Sequence, residues 1–256
     1  MKRIFLEEAI SENVTITGKA ANHLANSLRA QKGDKIIAVD KFGNTATFEL
    51  VDFAQDKIFA KCVSEITQIA ADKKITLADC LPKQNKFDTI VEKATELGVY
   101  KIEPLISDRT IARPGNFRAK TKLERWNRIA KEASEQCARD TLPEIGEIRE
   151  IADWLKEITP TLGRFVNGKF DGKGALFLFF NEKETADNLS ETLREYKNCD
   201  CAKEIIILIG PEGGFSEREA REIKACGGVS VSLGKTILKT DTAAISALSI
   251  VQYEIN

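Results

Sequence analysis

The 256-residue chain has few of the residues that usually announce chemistry. It holds one histidine, His23, and one methionine. A single imidazole argues against a histidine-based metal site. It also leaves His23 as the only possible base for a serine–histidine or cysteine–histidine pair. Six cysteines stand at positions 62, 80, 137, 199, 201 and 226, and no two are spaced C-x-x-C. Zinc-ribbon and thioredoxin-like motifs are therefore missing, and reduced thiols are expected. No apolar run approaches the ~18 residues of a membrane span. Glu7 and Glu8 follow Lys2 and Arg3 too closely to leave the apolar core of a secretion signal. The expectation is a cytoplasmic protein with no membrane or metal partner.

Charge of one sign is also lacking: the net charge is −1, which excludes a generic polycation. Locally the balance differs. Between Arg109 and Arg139 nine lysines and arginines face three acids, whereas from Glu182 to Glu204 seven acids face four bases. A basic segment in a near-neutral chain can serve a polyanion on one face, or be a solvated helix face.

The first third is rich in β-branched and alternating runs. "KIIAVD" (35–40), "TATFELVDF" (45–53) and "KIFAKCVSEI" (57–66) read as strands, with "KFGN" (41–44) as a turn. One helix, "AANHLANSLRA" (20–30), interrupts them, so a small β-barrel over residues 1–70 is expected, with 67–74 as linker. From Ile75 strands and helices alternate. Strands are expected at 75–81, 100–106, 175–180, 204–209 and 229–233, and helices at 85–98, 119–139, 184–198, 216–226 and 240–254. Asn85 is placed to cap its helix and Gly98 to end it. Alternation of this kind predicts an α/β domain with a parallel sheet over 75–256. The apolar runs 175–180 and 205–209 suit strands buried on both faces. The last helix is apolar over most of its circumference and calls for a core or a subunit interface.

The segment "IILIGPEGGFSEREAREIKACGG" (206–228) joins a strand to a helix through a glycine-rich turn. Ser216 and Glu219 have capping-box spacing. In an open parallel sheet such a turn lies where ligands bind. The turn is not followed by G-K-[ST], and the G-x-G-x-x-G pattern is missing. Glu212 would repel phosphate, so a neutral or cationic ligand such as S-adenosylmethionine fits better. A second turn, "SLGKTILKTDTAA" (232–244), could close the same ligand from the other side.

Together "VEKATELGV" (91–99), "ERW-x-x-I-x-x-EA-x-EQ-x-x-R" (124–139), "IGPEGGFS-x-x-E" (209–219) and "LGKTILKTDTA" (233–243) resemble the RsmE family of SPOUT-class methyltransferases. "HLANSLRAQKGD" (23–34) resembles that family's PUA-like RNA-binding domain. The resemblance covers nearly the whole chain. It implies a homodimer with a C-terminal trefoil knot that methylates N3 of a uridine in 16S ribosomal RNA of the small subunit, on the assembled subunit. The cofactor would be S-adenosylmethionine, held by Ile209, Gly210, Pro211, Glu212, Gly213 and Gly214 on one side. Leu233, Gly234, Ile237, Leu238 and Thr242 would hold it on the other. Where relatives carry arginine and then glutamate in the last motif, this chain has Lys239 and Asp241.

Uridine N3–H is weakly acidic, so the transfer needs proton loss and charge stabilisation. Glu212 and Asp241 are candidate bases, and Arg109, Arg139 and Lys239 candidate cations. Glu212, Arg139 and Lys239 form the catalytic expectation. Lys2, Arg3, His23, Arg29, Arg109, Arg125 and Arg128 form the expected RNA contact. Two alternatives stand beside it: a non-catalytic RNA-binding factor with a degenerate cofactor site, and a nucleotide-phosphate enzyme using the GPEGG loop.

Overall fold

A computed structural model describes residues 2–68, 73–166, 168–184, 189–199 and 204–255. The chain divides into two compact units, Met1–Ala71 with Lys131–Leu142, and Asp72–Ala130 with Pro143–Asn256. This differs from two consecutive segments split near residue 70 in one respect: Lys131–Leu142 groups with the N-terminal unit.

The first unit is built on β1 (Lys2–Leu6), β2 (Asn13–Thr17), α1 (Gly18–Asn22), β3 (Lys35–Asp40), β4 (Asn44–Ala54), β5 (Lys57–Cys62) and β6 (Thr67–Gln68). The strands form one sheet in the order β1-β3-β4-β5-β2, with β6 on β4. A register shift between Leu50 and Asp52 bends β4 and curls the sheet. Among the described residues no ladder joins β1 to β2. Alternation sends Ile36, Ala38, Ala46, Phe48, Leu50, Ile58 and Ala60 inward, where Leu24 covers them. The turn at 41–44 is organised by Asp40. Its buried carboxylate accepts from the amides of Ile10, Phe42 and Asn44 at 2.8–3.1 Å. Burial works against that charge, but Asn44 and these amides hold the carboxyl below its ordinary range. The expected 20–30 helix is instead α1 followed by a π turn over His23–Ser27. β5 stops at Cys62 rather than 66, and β1 and β2 were not anticipated.

The second unit holds β7 (Lys74–Cys80), α2 (Lys86–Glu96), β8 (Lys101–Ile106), the first part of α3 (Asn116–Gln136), β9 (Glu144–Ile145), β10 (Arg149–Glu150), α4 (Ile151–Ile158), β11 (Phe165–Val166), β12 (Lys169–Phe170), β13 (Leu176–Phe180), α5 (Leu189–Lys197), β14 (Glu204–Ile209), α6 (Glu217–Cys226), β15 (Val229–Val231) and α7 (Thr240–Ile255). The main sheet runs β10-β8-β7-β14-β13-β15, with β9 on β8, and every pairing is parallel. Among the described residues of this unit only β11–β12 is antiparallel.

Helices cover both faces. Ile205, Ile207 and Ile209 pack with residues of α2, α3, α5 and α7. Ile206 and Leu208 pack with Trp154 of α4 and Ile223 of α6. Both faces of β14 are thus dry, which is why its sequence is an unbroken apolar run. Each such side chain contributes ~1.5–3 kcal/mol. Trp126 of α3 is fully buried, and its indole donates to Asp88 of α2 at 3.0 Å. The Asn85 side chain makes no capping bond; its backbone carbonyl accepts from the Asp88 amide instead. α4 and β9–β12 were not anticipated. Residues 69–72 of the expected linker, 185–188 of the expected 184–198 helix, and Cys201 lie outside the described residues.

Candidate cofactor cavity

β14 ends at Ile209, and the chain turns through Gly210–Phe215 into α6. The Gly214 amide donates to the Pro211 carbonyl at 2.8 Å, closing the turn. Gly214 has φ +64°, and a Cβ there would stand 2.8 Å from Glu182 Oε1. The backbone therefore favours glycine at this position, and a side chain would also displace the end of Glu182. The capping box forms as its spacing predicts. The Ser216 hydroxyl accepts from the Glu219 amide (3.2 Å), and the Glu219 carboxylate accepts from the Ser216 amide (2.8 Å). The other Glu219 oxygen accepts from the Asp108 amide at 2.8 Å. Ser216 donates in turn to Asp108. That bond, with Arg218 beside it, holds the Asp108 carboxyl below its ordinary range.

A cavity of about 310 Å³ opens beyond the carboxyl ends of β14, β13 and β15. Ile209, Gly210, Pro211, Glu212 and Gly214 line one side, and Leu233, Gly234, Ile237, Leu238 and Lys239 another. The two turns thus meet at one cavity. β13 adds a third wall, Phe180, Asn181 and Glu182, which sequence reasoning missed. The cause is strand order: β13 lies between β14 and β15, and nothing local encodes that. Among the charged lining residues, Glu182 and Glu212 balance Lys235 and Lys239. Such balance, with bare backbone at the glycines, fits a neutral or singly charged ligand better than a phosphate.

Several expected site residues stand elsewhere. Gly213 does not line the cavity; its carbonyl accepts from Arg109 at 2.6 Å. Thr242 is exposed on α7 outside the lining. Arg139 belongs to the first unit, where it is partly buried and donates to the Thr141 carbonyl at 3.1 Å. Burial lowers its proton affinity. Glu212 accepts from the Lys83 amide at 2.9 Å. Asp241 is salt-bridged to Lys86 at 3.2 Å, and against the raising effect of burial Lys86 keeps its carboxyl low.

The expected RNA-facing cations divide. Lys2 pairs with Asp34 at 3.2 Å, Arg3 with the Ala138 carbonyl and Asp140, and Arg125 with Asp88 at 2.6 Å. Arg109 braces the GPEGGF turn. These four charges have partners inside their own units. Arg29 and Arg128 are exposed, as Arg109 and Arg125 also are, and His23 is half-buried. Among the described residues no group of three or more His, Cys, Asp and Glu is placed for a metal, and no helix is long and apolar enough to cross a membrane.

Comparison with known proteins fits this geometry. A family model for an RNA methyltransferase domain matches residues 70–252, and one for an RNA methyltransferase PUA domain matches 16–61. The chain belongs to this RNA methyltransferase family. Ribosomal RNA small subunit methyltransferase E of Bacillus subtilis (strain 168) is 30% identical over 99% of this chain and 97% of its own. The protein of that name from Synechocystis is 34% identical over 95% of this chain and 74% of its own. The crystal structure of a ribosomal RNA small subunit methyltransferase E from Neisseria gonorrhoeae, bound to S-adenosyl methionine, superposes with a TM-score of 0.80 at 27% identity. That match covers 99% of this chain and 97% of the other. The cavity of this RNA methyltransferase is thus carried by a fold that holds S-adenosyl methionine in that relative.

Proposed function

We propose that the protein is an S-adenosylmethionine-dependent methyltransferase that modifies N3 of a uridine in 16S ribosomal RNA. The observation that carries this is the cavity at three parallel strand ends, walled by both glycine turns. The curled N-terminal sheet would be the RNA-binding module. A homodimer, a knotted C-terminal path, the assembled small subunit as substrate and a cytoplasmic location complete the proposal.

The lining fits the cofactor. Gly210, Gly214 and Gly234 present backbone without side chains, and Ile237 and Leu238 offer apolar surface for an adenine. Bound S-adenosylmethionine supplies an electrophilic methyl group on a sulfonium. Glu212 is the better-placed base: it lines the cavity, whereas Asp241 lies outside the lining, tied to Lys86. Glu212 would take the N3 proton as nitrogen gains the methyl group. Lys239, on the facing wall, would balance the charge delocalised onto the uracil oxygens. Lysine does so as a point charge, without the fork of an arginine. Arg139 keeps a catalytic role only as a proposal, since it does not line the cavity.

The test is a map of N3-methyluridine in small-subunit RNA from cells with and without the gene. Loss of one mark is expected; an unchanged map overturns the proposal.

A further inference from the structure

Asp79 is the only acid in β7, whose sequence is KITLADC. It stands in register with Ile209, the residue that opens the GPEGGF turn, and with Pro104 of β8. By alternation it shares the face of Ile75 and Leu77, which look toward α2 and α7. Its side chain is fully buried, and among the described residues neither carboxyl oxygen has a hydrogen-bond partner. An ionised carboxylate in that position would be severely penalised.

The charges around it make ionisation harder still. Burial first, then Glu212 of the cavity wall and Asp241 of α7, push the Asp79 carboxyl well above its ordinary range. Of the cations near Asp241, Lys86 of α2 is bonded to it, and Lys239 helps by charge to keep its carboxyl low. Cys80, its chain neighbour on the opposite face, is a buried thiol held protonated chiefly by that burial. Glu212 itself is fixed by the Lys83 amide, three residues beyond the end of β7.

We propose that Asp79 is a positioning residue of the cofactor turn: buried in register with Ile209, it stays uncharged, and charging it drives Glu212 from the Lys83 amide and opens the cavity wall. This rests on the cofactor reading of the cavity. The sign follows from proton counting. In the unfolded chain Asp79 ionises near the ordinary aspartate value of about 4. The folded state retains the proton to higher pH. Stability and order of the turn therefore fall as pH rises from that value through the raised one.

The test measures S-adenosylhomocysteine affinity by calorimetry across pH, using the full chain. That ligand lacks the sulfonium, so attraction to a new negative charge does not mask the loss. The unchanged protein is expected to lose at least about fivefold in affinity across the titration, the lower end of ordinary coupling. Asp79→Asn, a neutral isostere, is expected to bind as tightly as the unchanged protein does at low pH, with a flat profile. Asp241→Asn removes one repelling charge and should move the midpoint to lower pH. Parallel profiles for the unchanged protein and Asp79→Asn overturn the proposal. Should Asp79→Asn fail to fold, an unmoved midpoint in Asp241→Asn overturns it. If the unchanged protein binds no S-adenosylhomocysteine at any pH, the cofactor reading fails instead. The thermal unfolding midpoint against pH then still decides whether Asp79 holds its proton.

Discussion

The two turns that wall the cavity are built to opposite standards. Gly210–Phe215 is braced from several directions. The Arg109 guanidinium reaches Gly213, the Lys83 amide reaches Glu212, and Phe215 stacks edge-on to Phe179 with centroids 6.0 Å apart. The capped α6 follows at once. The second turn has little of this. Gly234 exchanges bonds with the Ser232 hydroxyl at 3.1–3.2 Å, and residues 234–237 are exposed. Ile237 is 75% exposed although it lines the cavity. The first wall is tied to the folded core. The second is apolar surface left for a ligand to cover.

The largest effect should come from removing what anchors the first wall. Glu219 is 1% exposed and accepts from two amides in separate loops, Ser216 and Asp108. Glu219→Ala would strand both donors and open a void. Both donors are part-buried, so each costs toward the low end of ~1–3 kcal/mol, and a loss of about 2 kcal/mol is expected. Urea unfolding measures it. A loss below about 0.5 kcal/mol, the size of an ordinary surface change, would mean that the wall does not depend on this anchor.

Alanine at the glycine of each turn contrasts the walls directly. Gly214 and Gly234 both have positive φ, +64° and +106°. For alanine the backbone strain is roughly 1 kcal/mol inside the left-handed region, as at Gly214, and larger outside it, as at Gly234. At Gly234 a Cβ meets nothing within 4 Å, whereas at Gly214 it meets Glu182. Each should therefore lose roughly 1–2 kcal/mol of stability, Gly214→Ala through milder strain plus a shift of Glu182 and Gly234→Ala through backbone strain alone. Only the former displaces a lining carboxylate, so only it should weaken S-adenosylhomocysteine binding by roughly tenfold or more. Equal losses of affinity at both positions in calorimetry would erase the distinction between the walls.

The braced wall was also the legible one, for a physical reason. Ser216 and Glu219 interact across three residues, so their spacing carries the cap, and the apolar run of β14 carries its double burial. The braces on that wall were not legible. Arg109 reaches Gly213 across 104 residues, and in the sequence it looked like a cation for RNA. Arg3 likewise joins Asp140 across 137 residues. Glu182 entered the cavity only because β13 sits between β14 and β15. α4, "IADWLKEI", was missed although Ile151, Trp154 and Leu155 keep helical spacing, because two turns offer little periodicity. Asp79 had a visible signal, one acid in an apolar strand, but its meaning depends on Glu212 and Asp241, far away in the chain.

The smallest change to the folded state should come from the second wall. Ile237→Ser removes an apolar side chain that the folded protein leaves mostly in solvent. Stability should move by less than about 0.5 kcal/mol. If a ligand covers Ile237, the same substitution removes apolar contact from the complex. At ~25 cal/mol per Å² a side chain of this size is worth ~1–2 kcal/mol, or roughly a five- to thirtyfold weaker S-adenosylhomocysteine affinity. Unfolding and calorimetry on the same sample separate the two quantities. A loss of affinity without a loss of stability would mark the turn as a binding surface that the fold leaves unfinished. A matched loss in both would show that it is braced like its neighbour, and unchanged affinity would place the ligand on the GPEGGF side alone.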